Sequence, residues 1–214
     1  MTVNSRWVVT HTYGPRFAMM PGVPSRYDDE LWELVPRDRG PPPTTLCEFV
    51  KSLGEAEDVL DLGAGDGRLS ACLRATRLTL ADVSGVALER ARERLPEARI
   101  VELEPDVPLP LPDSSFGLVL CAETLEHVRD VQLLLSEARR VLRPGGRLAV
   151  TTPAHGRGTA LGLVARGFES GFDPLSPHLR FFTARSLRRL LGQMGFDVES
   201  LRRRRGTLYA VARR

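Results

Sequence analysis

Between Thr45 and Ala212 the sequence passes at least five times from a short apolar run to a helix-like segment, and this alternation restricts the fold more than any other feature. The runs are Asp58–Leu62, Leu78–Asp82, Arg99–Leu103, Phe116–Cys121 and Arg147–Thr152. Each has the length and content of a buried strand. Thr45-x-x-Glu48 is a capping-box pattern that predicts a short helix stopping at Gly54. A second helix is expected around Arg68–Arg74, and a third from Ser84, a capping residue, to Leu95 before Pro96. Further helices are expected at about 129–142, ending at Pro144-Gly145-Gly146, and at Ala184–Met194. Alternation of this kind predicts an α/β fold, a doubly wound Rossmann-like sheet that is mostly parallel. Two final strands, near Phe196–Leu201 and Thr207–Ala212, read as an antiparallel hairpin joined by Arg202-Arg203-Arg204-Arg205-Gly206.

Residues 1–43 have no such period. They are rich in Pro and Gly and hold Trp7, Tyr13, Phe17, Tyr27 and Trp32, five of the thirteen aromatics. Aromatics outside any core period point to a lid or cap (1–43) packed on a main domain (44–214). At 42% hydrophobic and 27% charged residues, the 214-residue chain has the balance of a globular protein. No apolar run approaches the ~18 residues of a membrane span, so no membrane partner is expected. The first sixteen residues lack the apolar core of a signal peptide. Cys47, Cys72 and Cys121 are far apart, without CxxC spacing, and read as reduced thiols in a cytoplasmic protein.

Of 30 basic residues only Lys51 is a lysine. Residues 1–110 carry 13 basic and 18 acidic groups, a balance of −5, whereas 111–214 carry 17 and 9, a balance of +8. A basic half raises nucleic acid as a partner. Against it, no aromatic lies among Arg202–Arg205 to stack bases, and a strand connection away from the catalytic edge is the wrong place for a phosphate track.

Ligands of doubly wound sheets sit at the carboxyl ends of the strands, which directs attention to Val59-Leu60-Asp61-Leu62-Gly63-Ala64-Gly65-Asp66-Gly67. A dinucleotide fingerprint would place its third glycine at position 68, where Arg68 stands. Asp82 ends the second strand, where an acidic side chain can accept both hydroxyls of an adenosine ribose. The Asp61–Gly67 turn, Asp82 and the Leu142–Leu148 turn resemble the class I S-adenosylmethionine-dependent methyltransferases, over about residues 45–212. The resemblance implies S-adenosylmethionine as cofactor, bound by Asp61, Gly63, Ala64 and Gly65, with Gly63 and Gly65 toward its methionine part. It further implies Asp82 and Val83 at the ribose, and Cys121 and Ala122 running past the sulfonium. The family's adenine-contacting acid falls on Pro105, between Glu104 and Asp106, and Asp106 is the residue of choice. Gly117 stands where the family commonly has Asp.

Acceptor chemistry is expected after the fourth strand, in Glu123-Thr124-Leu125-Glu126-His127. On a helical turn Glu123 and Glu126 would share one face with His127 beside them. His178 and His155 are further imidazoles at this end. An E-x-x-E-H cluster with a distant His resembles RNA 3′-terminal 2′-O-methyltransferases, in which four such residues hold Mg²⁺, and ubiquinone-type O-methyltransferases. The carry-over is Glu123, Glu126, His127 and His178 as metal ligands, with His127, His178 and Glu123 as catalytic groups. A metal-free acid–base or binding role and a packing role stand beside that reading. The irregular stretch of about 28 residues from His155, with Phe168, Phe172 and Phe181, is expected to help form the acceptor pocket or the core. The expected function is methyl transfer to oxygen of a small-molecule acceptor, of anionic character if the basic half touches it. A metal-dependent RNA 2′-O-methyltransferase and a non-catalytic adenosylmethionine-binding module are the alternatives. No long apolar helix declares an oligomer interface.

Overall fold

The computed structural model describes residues 24–167 and 176–214. The elements run α1 (Pro24–Leu34), α2 (Thr44–Ser52), β1 (Glu55–Leu62), β2 (Arg74–Asp82), α3 (Gly85–Arg94), β3 (Arg99–Glu102) and β4 (Phe116–Ala122). They continue with α4 (Val131–Val141), β5 (Leu142–Pro153), α5 (Arg157–Arg166), α6 (Ala184–Gln193), β6 (Asp197–Arg204) and β7 (Thr207–Arg213). One seven-stranded sheet has the order β3-β2-β1-β4-β5-β7-β6. The first five strands are parallel and β7 pairs antiparallel with both β5 and β6, as the alternation predicted. The order reverses between β1 and β4, so the crevice for a ligand opens at their carboxyl ends.

Successive residues of the central strands divide between two cores. Leu60, Leu62, Val119, Cys121 and Val150 face one side, against Leu135 of α4 and Leu187 and Leu191 of α6. Val59, Leu118, Leu120 and Ala149 face the other, against Val50 and Leu53 at α2. Gly117 lies where the β4–β5 register shifts, between Phe116 and Leu118, so a small residue marks an irregularity of the ladder.

Local expectations were revised at several points. Ser84 caps α3 through Ala87 N–H at 3.1 Å, but Thr45 caps nothing: α2 begins after Pro43, and Glu48 pairs with Arg204 at 2.6 Å. The expected helix at Arg68–Arg74 is a single 3-10 turn, Ser70–Cys72, because β2 starts at Arg74. Only residues 63–73 connect β1 to β2, fewer than a helical crossover usually takes. The stretch after His155 is partly helical, as α5. Phe168 and Phe172 lie outside the described residues, as do Trp7, Tyr13 and Phe17.

The cysteine expectation is overturned for two of the three residues. Cys47 of α2 and Cys72 of the 3-10 turn form a disulfide, with Cα atoms 5.6 Å apart, within the range that the bond requires. Spacing along the chain concealed a proximity that α2 creates by folding onto the shortened crossover. Cys121 remains a free, buried thiol. The compartment expectation built on three reduced thiols therefore loses its ground.

Beneath the crossover, Ser70 Oγ donates to Asp61 at 2.6 Å, and both side chains are buried. Burial raises the Asp61 carboxyl from 3.8 to about 7, with the charge of Asp82 adding to it and the Ser70 bond opposing it.

Two outcomes follow. The disulfide closes a loop of sequence separation 25, so Cys72→Ser should lose about 2–4 kcal/mol in denaturant unfolding under oxidising conditions. Dithiothreitol should bring the parent to the variant's level, and equal stability without reductant would show that the bond contributes nothing. For Asp61, the native state retains a proton that the unfolded chain releases, so stability is greatest below the unfolded pKa and falls as pH rises toward about 7. The decline is at most roughly 4 kcal/mol, at about 1.4 kcal/mol per pKa unit. Asp61→Asn should show a shallower decline than the parent between pH 5 and pH 8, and an unchanged slope would reject the assignment.

Candidate active site

The glycine turn is an extension of the β1–β2 pairing. Gly63 N–H and Ala64 N–H both donate to Ala81 C=O, at 2.8 and 3.1 Å, and Gly65 N–H donates to Asp82 Oδ2 at 2.8 Å. Asp82 Oδ1 accepts from Ser84 N–H at 3.0 Å, so this buried carboxylate ties the turn to the start of α3. Gly65 has φ +54°, and a Cβ there would lie 2.7 Å from a Trp32 ring carbon. Both constraints require glycine.

Trp32 belongs to α1, which lies across the turn. Asp29 Oδ1 accepts from Ser84 Oγ at 2.7 Å and from Val86 N–H at 3.2 Å, fixing α1 to the first turn of α3. Guanidinium groups of Arg39 and Arg90 lie 5.0 and 5.8 Å from the Trp32 ring centroid. Asp28 faces the cavity, and its carboxyl rises to about 6 through burial, with Asp82 and Asp29 adding repulsion. Asp28 and Trp32, at i and i+4, share one face of α1.

A single cavity of about 730 Å³ runs from this end to the end of β4, within the size range of small-ligand sites. Gly63, Gly65, Asp82, Val83 and Asp106 of the expected cofactor set line it, as do Glu123 and His127. Asp61, Ala64, Cys121 and Ala122 do not; Asp61 and Cys121 are buried beneath it in the sheet. Burial drives the Cys121 thiol far above its usual range. Asp106, at φ +58°, is paired with Arg129 at 2.7 Å.

At the acceptor end the chain makes one tight turn, closed by His127 N–H to Thr124 C=O at 3.0 Å, where a helical face had been expected. Glu123 precedes it in the left-handed region, φ +52°, and its buried Oε1 has no hydrogen-bond partner among the described residues. Residues 176–182 strap this turn to β5. Leu179 N–H donates to Glu126 C=O at 2.7 Å, and His155 N–H donates to Phe182 C=O at 2.7 Å.

The strap brings His178 to His127, with ring centroids 4.7 Å apart. Ligand atoms of Glu126, His127 and His178 all lie within 4.8 Å of one another, and Glu123 is not in that group. Nδ1 of His127 is 3.0 Å from Pro177 C=O; a carbonyl only accepts, so Nδ1 carries the proton and Nε2 keeps its lone pair. Burial, reinforced by His178, lowers the His127 pKa to about 4. Burial and the Glu123 charge raise Glu126 to about 8, while Thr152 Oγ1 donates to its Oε2 at 2.9 Å. Imidazole and carboxyl are both drawn toward their neutral forms.

The arginine connection required correction. Arg202–Arg204 belong to β6, and β7 runs against β5 with Thr207 opposite Pro153. Ala154 N–H donates to Gly206 C=O at 2.7 Å. The hairpin turn therefore lies on the carboxyl edge, beside His155 and not away from it. Asp28, Asp29 and Thr124 were missed as site residues. The acidic–aromatic spacing of α1 was a usable signal for the first, whereas Thr124, packed on Gly63, carries none.

Residues 60–150 match the family model of a methyltransferase domain. A probable S-adenosylmethionine-dependent methyltransferase of Mycolicibacterium smegmatis is 36% identical over 146 residues, 66% of this chain and 52% of the relative. A demethylmenaquinone methyltransferase of Tropheryma whipplei is 38% identical over 104 residues, 47% of this chain and 44% of the relative. The chain thus spans about half the length of the curated relatives it matches. A solved SAM-dependent methyltransferase from Methanosarcina mazei superposes with TM-score 0.62 at 21% identity, over 82% of this chain and 99% of that one. The chain has the class I methyltransferase fold.

Proposed function

We propose that the chain is an S-adenosylmethionine-dependent methyltransferase that methylates an oxygen of a small-molecule acceptor. One observation carries this reading: a single cavity is lined at one end by the glycine turn and Asp82 and at the other by Glu123 and His127. Gly63, Gly65, Asp82 and Val83 would hold the cofactor, with Asp28 and Trp32 closing over it and Asp106 toward the adenine. When bound, S-adenosylmethionine supplies a methyl group on a positively charged sulfur, which an acceptor oxygen takes in line.

His127 Nε2, with its free lone pair, accepts the acceptor hydroxyl's proton. Glu126 Oε1 lies 4.0 Å from that nitrogen, and the imidazolium formed on proton transfer would draw this otherwise neutral carboxyl toward its ionised form. Glu123 Oε1, buried and unpartnered, is suited to accept a hydrogen bond from the acceptor. Its strained backbone is consistent with a functional position. Much of the remaining catalysis is positioning by the strap and α1. The demethylmenaquinone methyltransferase among the relatives makes demethylmenaquinone a reasonable acceptor to test first.

A second reading has its own observation. The carboxylate and two imidazoles of Glu126, His127 and His178 suit a divalent ion such as Mg²⁺, Mn²⁺ or Co²⁺, which would orient and acidify acceptor hydroxyls. A small-molecule acceptor is preferred to RNA because the cavity has the size of a small-ligand site.

A screen of phenols, catechols, sugars and short RNAs, with and without EDTA, tests the readings by release of S-adenosylhomocysteine. Turnover of a phenol or catechol supports the proposal. Binding of S-adenosylmethionine without product from any acceptor would leave a binding module only. Loss of turnover in EDTA, restored by a divalent ion, selects the metal reading, and unchanged turnover removes it. Asp82→Ala should weaken cofactor binding in calorimetry by about 1.5–3 kcal/mol. His127→Ala should keep cofactor affinity and lower turnover by about 100-fold or more. Unchanged rates in His127→Ala would sink its assignment.

A further inference from the structure

Helix α5 leaves β5 at the carboxyl edge of the sheet and carries no charged residue from Gly158 to Ala165. Ala160, Leu161, Val164 and Ala165 all face solvent, with Leu161 70% and Val164 84% exposed. A contiguous uncharged helical face in water marks an interaction surface. The basic hairpin stands beside it. A Cβ on Gly156, immediately before α5, would lie 3.7 Å from an Arg203 guanidinium nitrogen, and Arg203 and Arg205 are exposed. Arg204 is engaged by Glu48 and is left out. The cavity reaches the same edge, since Leu179, one of its walls, is 52% exposed.

We propose that α5 and the β6–β7 hairpin form a docking surface for an anionic lipid bilayer. Leu161 and Val164 enter the headgroup region while Arg203 and Arg205 meet lipid phosphates. Charge complementarity selects this occupant: an exposed, uncharged helical stretch beside the exposed Arg203 and Arg205 suits a negative, apolar interface. At ten residues, α5 is about 15 Å long, so it lies in the interface and does not span it. The surface rests on the methyltransferase reading only for its purpose, that an apolar acceptor held in the bilayer would enter the cavity at this edge.

The test is co-sedimentation of the full chain with vesicles of phosphatidylcholine alone or with about one quarter phosphatidylglycerol, at about 0.1 M and 0.5 M NaCl. Binding to the anionic vesicles is expected at the lower salt, with a fall of about tenfold at the higher salt. Leu161→Glu/Val164→Glu and Arg203→Glu/Arg205→Glu should each reduce the bound fraction at least tenfold. Leu161→Ser/Val164→Ser serves as a milder replacement should the first pair fail to fold. Absence of binding, equal binding to both vesicle types, or binding indifferent to α5 overturns the proposal. So does sedimentation equilibrium showing a dimer that the α5 variants dissociate, since a second copy would then be the occupant. Calorimetry of S-adenosylmethionine on the same variants separates failure of this surface from failure of the methyltransferase reading.

Discussion

The site depends on the parallel pairing of β1 with β2, carried one step past the last strand residue. Leu62 pairs with Ala81, and the next two amides, of Gly63 and Ala64, both go to the carbonyl of Ala81. The turn is thereby pinned before any ligand arrives. Asp82 completes it from the neighbouring strand by accepting from Gly65 and, two residues on, from Ser84. A carboxylate expected only to meet a ligand thus also organises the loop and α3. Its burial raises its pKa while backbone N–H groups oppose that rise, and desolvation outweighs the hydrogen bonds.

The end of the cavity at β4 is built differently. Glu123 is still held by strand pairing, its N–H donating to Thr151 C=O of β5 at 2.9 Å, whereas Glu126 and His127 lie on a turn held from outside by residues 176–182. The carbonyl of Glu126 accepts from both Leu179 and Arg180, at 2.7 and 3.2 Å, and Pro177 holds His127 Nδ1. His178 approaches His127 because the strap is anchored on this turn at one end and on His155 and Ala154 at the other. Two imidazoles and a buried carboxyl are thereby brought together. His178 disfavours the charged form of His127, as does desolvation. Such a group is prepared for a proton or a cation from elsewhere and does not neutralise itself.

What could be read in the sequence followed from local periodicity. Strand positions came from apolar runs and the ends of α3 from Ser84 and Pro96, because these depend on residues a few places apart. The glycine turn was legible because alternating glycines after a buried strand have few other uses. Contacts made by topology were not legible. Cys47 meets Cys72 only once α2 covers the crossover. The arginine hairpin was expected on the wrong edge because the direction of β7 against β5, not its composition, decides which end the turn occupies. Likewise, nothing near Glu126 in sequence announces that Pro177 and Leu179 will bind it. The expected cofactor residues divide on the same ground: alternation along β1 sends Asp61 beneath the sheet while the turn beyond it opens on the cavity.

The shortened crossover explains why the segment before the sheet matters so much. Where a full helix follows a glycine turn, its N-terminus supplies positive potential to the ligand. Here only Ser70–Cys72 follows, too short for a substantial helix dipole. Positive charge comes instead from side chains around buried Asp66: Arg39 and Arg68 contact it at 3.1 and 3.2 Å, and Arg94 at 3.8 Å. Three guanidinium groups against one carboxylate leave an excess of positive charge beside the turn. One comes from the connection after α1, one from the crossover and one from α3, so part of this charge is brought by the segment before the sheet. Asp29 on α3 and Trp32 on Gly65 seat α1. The end of the cavity at the glycine turn thus draws on α1, whose Asp28 and Trp32 line it, where periodicity alone gave no reason to look.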